Sequence, residues 1–226
     1  MRCPRCNGLV VYDHEKVEFV CALCESIVTE LLTEWPWPYP QEFLESVYAT
    51  KIMAGGKEEK ARKIIRKHAV GNTAAALSGK DSLVALHLAL STGVSVDVII
   101  STHIAKRRLP QKVVDGLKAI AESLGARRVV IFDEPWDVHA SLFRIIARKY
   151  NYDVIITGLR RGENRGRIHA VESHLVEPGR TVKLVNPIID WSTAEVWSYL
   201  FYYRLPILTL VPYRYAPPDA SLQHLV

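Results

Sequence analysis

Between residues 73 and 86 the chain reads Thr73-Ala74-Ala75-Ala76-Leu77-Ser78-Gly79-Lys80-Asp81-Ser82-Leu83-Val84-Ala85-Leu86. A short apolar run passes through a small polar turn directly into a helix-forming segment. Such a junction leaves the first backbone N–H groups of the helix without partners inside it. It also sets them beside hydroxyl groups and the ammonium of Lys80. An anion is stabilised there, because the amides point at it and the peptide dipoles favour negative charge. A nucleotide phosphate suits a turn built from Ser78, Gly79, Lys80, Asp81 and Ser82. Serine and aspartate are also ordinary helix caps, so this stretch alone leaves both readings open.

The remainder of the chain supplies the architecture around the turn. Strand and helix patterns alternate from residue 73: strand 73–77, helix 81–92, strand 96–101, helix 111–124, strand 128–132, helix 136–150 and strand 153–158. Pro110 precedes the second of these helices and Gly125 ends it, the usual start and stop residues. Runs such as Val98-Ile99-Ile100 and Val154-Ile155-Ile156 are apolar at every position. That suits strands buried on both faces of a parallel sheet. Repeated strand–helix units predict an α/β fold with a doubly wound, mostly parallel sheet. Ligands of such sheets sit beyond the carboxyl ends of the strands. Here those places are residues 78–82, 101–108, 133–136 and 158–167, which hold most of the reactive side chains.

With 226 residues, 49% of them hydrophobic, the chain can bury one core and carry a small appendage. A charged fraction of 23% excludes wholesale disorder. The net charge of +5 and pI near 9.0 suit anionic partners without separating a nucleotide from a nucleic acid. No apolar run approaches the roughly 18 residues of a bilayer span. Met1-Arg2-Cys3-Pro4 opens no signal-peptide core, so a cytoplasmic protein with no membrane partner is expected.

All four cysteines fall in the first 24 residues. Cys3-x-x-Cys6 and Cys21-x-x-Cys24 are two knuckles, and four thiolates close a tetrahedron around zinc. Residues 9–12 and 17–20 supply the strands of a hairpin, with 13–16 as its turn. A zinc-ribbon β-hairpin module over residues 1–32 is the expectation. An iron–sulfur cluster or disulfides would join the same four cysteines, although a reducing cytosol disfavours disulfides. A module of about 30 residues does not fold without a staple. A purely structural zinc and a nucleic-acid or partner contact therefore stand side by side. Residues 33–56 read as a Pro/aromatic linker, since Trp35-Pro36-Trp37-Pro38-Tyr39-Pro40 fits neither a helix nor a central strand. A nucleotide-binding domain over 57–226 follows. It opens with a charged helix whose narrow apolar stripe is Ala61, Ile64 and Ile65.

Two later segments carry the anion reading further. Ile155-Ile156-Thr157-Gly158-Leu159-Arg160-Arg161-Gly162-Glu163-Asn164-Arg165-Gly166-Arg167 leaves a buried strand with four arginines around one glutamate. Guanidinium forks take phosphate or sulfate oxygens in pairs. Residues 185–200 hold Asn186-Pro187, Asp190-Trp191 and the capping box Ser192-x-x-Glu195, with Val196, Trp197 and Leu200 as the apolar helix face. The turn Ser78-Gly79-Lys80-Asp81-Ser82 resembles the PP-loop of the adenine-nucleotide α-hydrolase-like superfamily. Leu77 and Ser78 stand where that motif usually has Ser and Gly. The arginine segment is similar to the G-x-R-x-x-E-S-x-x-R segment of the phosphoadenylyl-sulfate (PAPS) reductase family. Gly158, Arg160, Glu163 and Arg167 match, and Asn164 replaces the serine. Residues 186–200 resemble a further segment of the same family.

The resemblance spans roughly residues 57–206. It implies ATP, adenylyl sulfate or PAPS as substrate, with chemistry at the α-phosphate or its attached sulfate. It implies catalytic roles for Lys80, Asp81, Arg160 and Arg167. It also implies nucleotide binding by Ser78, Gly79, Lys80, Asp81, Ser82, Gly158, Arg160, Glu163 and Arg167, with Mg²⁺ held by Asp81. Reductases of this family resemble one another in a C-terminal cysteine that attacks the sulfate sulfur, and no cysteine follows Cys24. A ribbon ahead of a PP-loop also resembles tRNA thiolation enzymes. Lys106-Arg107-Arg108, Arg127-Arg128 and 160–167 are then a candidate phosphate-tracking surface, set against a nucleotide pocket that is simply basic. The favoured expectation is ATP-dependent adenylyl activation of an external acceptor, in sulfur metabolism or tRNA thiolation. Sulfonucleotide binding or reduction by an external thiol, from a sulfur-carrier or thioredoxin-like partner, is the alternative, and a non-catalytic nucleotide sensor a further one. His103, after the second strand, is read as a base or a packing residue, and His87 as packing.

Overall fold

A computed structural model describes residues 10–13, 18–21, 41–104, 107–135, 139–161, 171–177 and 179–206. Strands β1 (Val10–Asp13) and β2 (Glu18–Cys21) pair antiparallel, with Val10 opposite Cys21 and Asp13 opposite Glu18. This is the hairpin expected of the N-terminal module. Cys3, Cys6 and Cys24 lie outside the described residues, and Cys21 is described as the last residue of β2. Among the described residues no group of His, Cys, Asp or Glu is arranged to hold a metal ion.

Helix α1 (Gln41–Val47), a π-helical turn (Tyr48–Met53) and helix α2 (Lys57–His68) come next. The reading of 33–56 as linker is corrected over Gln41–Met53. Leu44, Tyr48 and Ile52 recur every fourth residue, which places them on one helix face, and all three are buried. Gly56 has φ +65°, a left-handed turn that glycine enters without a steric penalty, and α2 starts from it.

The larger unit then alternates: β3 (Thr73–Ala76), α3 (Lys80–Ser91), β4 (Asp97–Ser101), the small strands β5 (His103–Ile104) and β6 (Arg107–Arg108), α4 (Gln111–Ser123), β7 (Arg128–Phe132), α5 (His139–Tyr150) and β8 (Val154–Ile156). Up to β8 the expected elements are present, with ends that coincide or differ by at most three residues. Beyond it, β9 (Glu172–Glu177) and β10 (Arg180–Val185) form an antiparallel hairpin that the sequence reading did not contain, and α6 (Thr193–Tyr202) follows.

The six-stranded sheet runs β7-β4-β3-β8-β10-β9 and is parallel except for the edge strand β9. Alternate residues of the central strands face opposite layers, as the two-residue strand period requires. Ala75, Val98, Ile100, Val154, Ile156 and Val185 pack with α1 to α4 and α6, while Ala74, Ile99, Ile155 and Leu184 pack with α5. The apolar runs are thus buried on both faces, the doubly wound α/β arrangement. No helix among the described residues is long and apolar enough to cross a membrane.

One charge is sealed into the amino edge of the sheet. Asp97 is 0% exposed at the start of β4. It accepts hydrogen bonds from Arg127 Nε at 2.7 Å, Arg128 Nε at 3.0 Å and the Tyr152 hydroxyl at 2.7 Å. Both arginines are therefore committed at the edge opposite the phosphate turn. Burial alone would raise the Asp97 pKa, but the bonds from Arg127, Tyr152 and Arg128 outweigh it and hold the carboxyl below its ordinary value. A carboxyl lowered in the folded state contributes stability above its unfolded pKa of about 4 and loses it as pH falls through the folded value. We predict that Asp97→Asn lowers stability at neutral pH by about 1–3 kcal/mol and that the gap to wild type narrows below about pH 4. Urea denaturation at both pH values tests this, and a gap independent of pH refutes it.

Candidate active site at the β3/β8 switch point

The connections leave β3 in two directions: β4 and β7 lie on one side of it, β8 and β10 on the other. At such a divergence the loops beyond the strand ends part and leave a crevice. The 77–79 turn follows β3 and residues 157–161 follow β8, so two sequence segments 80 residues apart meet at this crevice.

The turn is held by its own serine. Ser82 Oγ accepts the backbone N–H groups of Ser78 and Gly79, each at 2.9 Å, and donates to the Gly79 carbonyl at 2.8 Å. Gly158 then presses onto the first turn of α3. A Cβ on Gly158 would lie 2.3 Å from Ser82 N and 2.4 Å from the Asp81 carbonyl carbon. Only a residue without a side chain allows β8 and α3 to approach this closely. Beside it, Thr157 Oγ1 donates to Asn186 Oδ1, both buried, and the Thr157 N–H donates to the Val185 carbonyl at 2.9 Å.

Three charges meet against this frame. Lys80 Nζ lies 2.5 Å from Asp81 Oδ2, and Arg160 Nε lies 2.7 Å from Asp81 Oδ1. The Arg160 N–H is not aligned on that oxygen as a hydrogen bond. Lys80 and Arg160 are only 4% and 5% exposed. Arg160 Nη1 also donates to the Trp191 carbonyl and Thr193 Oγ1 at 3.3 Å each, tying it to the start of α6. That start carries the expected capping box: Ser192 Oγ accepts from Glu195 N at 3.2 Å, and Glu195 Oε2 accepts from Ser192 N at 2.7 Å. Lys57 braces it from α2 through Glu195 Oε2 at 2.7 Å and the Asp190 carbonyl at 3.1 Å. Asp190 accepts from Arg161, 2.9 Å from its Nη2.

At the carboxyl ends of β4, which neighbours β3, and of β7 beyond it, Thr102 Oγ1 donates to Asp133 Oδ1. Arg108 donates to Asp133 Oδ2 at 3.2 Å, and His103 Nδ1 stands 2.9 Å from Thr102 Oγ1. The Thr102 bond, with Arg108 and His103 nearby, lowers the Asp133 pKa. His87 is part of the core instead: its Nδ1 lies 2.9 Å from the Tyr199 hydroxyl, and burial lowers its pKa, which keeps it neutral.

Of the expected site residues, Ser78, Gly79, Lys80, Asp81, Ser82, Gly158 and Arg160 come together in the crevice. Glu163 and Arg167 lie outside the described residues. Thr157, Thr193 and Lys57 were not expected to support the site, whereas Asp190 or Trp191 near the nucleotide was an alternative to a structural role for residues 185–200. The Asn186-Pro187 and Asp190-Trp191 pairs flagged their neighbourhood in the sequence, but only the packing of α6 against α1, the π-helical turn and α3 brings its start to Arg160.

A family profile described as "Phosphoadenosine phosphosulfate reductase domain" matches residues 141–216. That stretch includes Gly158 and Arg160 and leaves the phosphate turn outside. A search of curated proteins finds no match. Among solved structures, Candida glabrata FMN adenylyltransferase in complex with FMN and the ATP analog AMPCPP matches with TM-score 0.57 and 16% identity, covering 77% of this chain and 68% of that one. Its complex with FAD and inorganic pyrophosphate matches with TM-score 0.58 and 16% identity, over 76% and 69%. Yeast FAD synthetase in complex with FAD gives 0.53 and 16%, over 75% and 69%. The likeness is one of fold: the chain shares the α/β fold of these structures.

Because the Gly158 contact is with backbone atoms, a methyl group there has to part β8 from α3. Gly158→Ala is predicted to destabilise the chain by about 1–3 kcal/mol and to weaken nucleotide binding. Thermal melting and calorimetric titration with ATP test this, and wild-type values in both refute the close approach.

Proposed function

We propose that this chain is a PP-loop enzyme that binds an adenine nucleotide at the β3/β8 crevice and cleaves ATP at its α-phosphate to activate an external acceptor. The observation that carries the reading is the pair of buried cations, Lys80 and Arg160, converging at the strand ends beside the phosphate turn. An acceptor atom attacks the α-phosphorus, the bond to the bridging oxygen breaks, and pyrophosphate leaves with the electron pair. Lys80 and Arg160 neutralise charge that develops on the leaving group, an effect strengthened where water is excluded. The backbone of Ser78 and Gly79 orients the phosphates, and Gly158 keeps the two walls of the crevice in register. We assign Glu163 and Arg167 to the same nucleotide site.

Asp81 fits a magnesium ion, since its Oδ1 has no aligned hydrogen-bond donor and hard cations prefer carboxylate oxygen. When bound, magnesium supplies charge neutralisation to the phosphate oxygens. Cys3, Cys6, Cys21 and Cys24 are proposed to hold a structural zinc in a ribbon over residues 1–32, ahead of the 33–56 connector and the 57–226 nucleotide domain.

One support favours adenylyl transfer: structures of similar fold include Candida glabrata FMN adenylyltransferase. The match of residues 141–216 to the phosphosulfate reductase domain favours a second reading, sulfonucleotide binding or reduction with an external thiol. Pyrophosphate released from ATP in the presence of candidate acceptors supports the first. Sulfite and adenosine 3′,5′-bisphosphate released from PAPS with added thioredoxin support the second. Lys80→Ala is expected to weaken ATP binding by about 10- to 100-fold, the loss of one charged hydrogen bond. Calorimetric titration checks this, and an unchanged affinity removes Lys80 from the phosphate site.

A further inference from the structure

The groups that would grip a phosphate are already engaged with the chain's own acceptors. The backbone N–H groups of Ser78 and Gly79 are the donors that the turn offers an anion. Both are directed at Ser82 Oγ at 2.9 Å, and that hydroxyl spends its own proton on the Gly79 carbonyl. With two N–H donors received and one proton given, the hydroxyl is close to saturated. The two buried cations show the same pattern. Lys80 Nζ and Arg160 Nε both lie within 2.7 Å of the Asp81 carboxylate, one on each oxygen. A carboxylate between two cations and a hydroxyl under two amides occupy the places that oxygens of a bound phosphate would fill.

We infer that Ser82 and Asp81 are internal competitors for the anion, so that the resting site is self-occupied and a phosphate binds by exchange. This rests on reading the crevice as a phosphate site. In the resting chain the Asp81 charge stands against two buried cations, whose loss of hydration is costly at low exposure. On binding, phosphate oxygens take over Lys80, Arg160 and the two amides. Ser82 turns away from the turn, and the Asp81 carboxylate is released toward a cation arriving with the phosphate. The intrinsic affinity of the groups is thereby divided by the fraction of chains in which they are free.

Exchange makes a prediction opposite in sign to direct contact. A residue that contacts the ligand weakens binding when removed, whereas a competitor strengthens it. Inorganic pyrophosphate, titrated in the presence of a chelator so that no divalent cation takes part, is the probe. Asp81→Asn removes the competing charge at similar shape, and Ser82→Ala removes the competing hydroxyl. Each variant is expected to bind pyrophosphate about five- to tenfold more tightly than wild type, the gain from lifting a modest population penalty. Wild-type or weaker affinity in either variant overturns the competitor role of that residue. If Asp81→Asn does not fold, the carboxylate charge beside its two buried cations having been removed, Ser82→Ala decides the inference alone. Should wild type bind neither pyrophosphate nor ATP, the phosphate reading itself falls. Should wild type bind while the variants bind no tighter, only the exchange falls.

Discussion

The Asp81 carboxylate, set between the buried Lys80 and Arg160, is the interaction on which the rest of this structure depends. Lysine and arginine are seldom removed from water without a partner, because stripping hydration from a full charge costs several kcal/mol. Here the two cations come from different strand ends, one at the start of α3 and one after β8, so the carboxylate between them ties the central strands together at their open edge. Gly158 sets the spacing of that closure. Its missing side chain is what lets β8 meet the first turn of α3, and Thr157 with Asn186 fixes the strand end from the other side.

Much of the remaining molecule serves the same point from a distance. Arg160 leans on the Trp191 carbonyl and the Thr193 hydroxyl, so the start of α6 must be held still. Lys57 and the capping box hold it from one side. From the other, α1, the π-helical turn and α2 build an aromatic layer. Tyr48 stacks on Tyr202 with centroids 3.7 Å apart, and the hydroxyls of Tyr48 and Tyr203 both donate to Glu58. Burial, together with the Glu58 charge, raises the pKa of both tyrosines, so they remain neutral donors. The segment that precedes the α/β unit thus positions a residue of the crevice through α6.

What could be read in advance follows the range of the forces involved. The strand–turn–helix at 73–86 is local, so its apolar run, its turn and its helix were legible residue by residue. The same holds for the strands whose every residue is apolar, for the capping box at Ser192 and for the packing role of His87. The β9–β10 hairpin was not legible because its pattern is half polar: in β10, beside the edge strand β9, Thr181 and Lys183 alternate with Val182 and Leu184. Residues 41–53 were hidden behind the proline–aromatic run before them. The bonds of Arg127 and Arg128 to Asp97 were not legible because net charge says nothing of direction, and the buried Asp97 that both arginines meet lies about 30 residues upstream. The departure at Leu77 and Ser78 from the usual motif accompanies a family match that begins only at residue 141.

By itself the sequence determined the alternation of elements, the place of the phosphate turn, the glycine and arginine at 158 and 160, and the lack of any cysteine beyond residue 24. These rest on short-range preferences and on composition, which no folding step alters. Tertiary structure alone decided that the turn and the arginine segment share one crevice, since that requires β3 and β8 to be neighbours despite 80 residues between them. It also decided which charges face each other. Asp81 sits between Lys80 and Arg160, and Ser82 faces its own turn, because the fold brings Arg160 from the end of β8 against the first turn of α3.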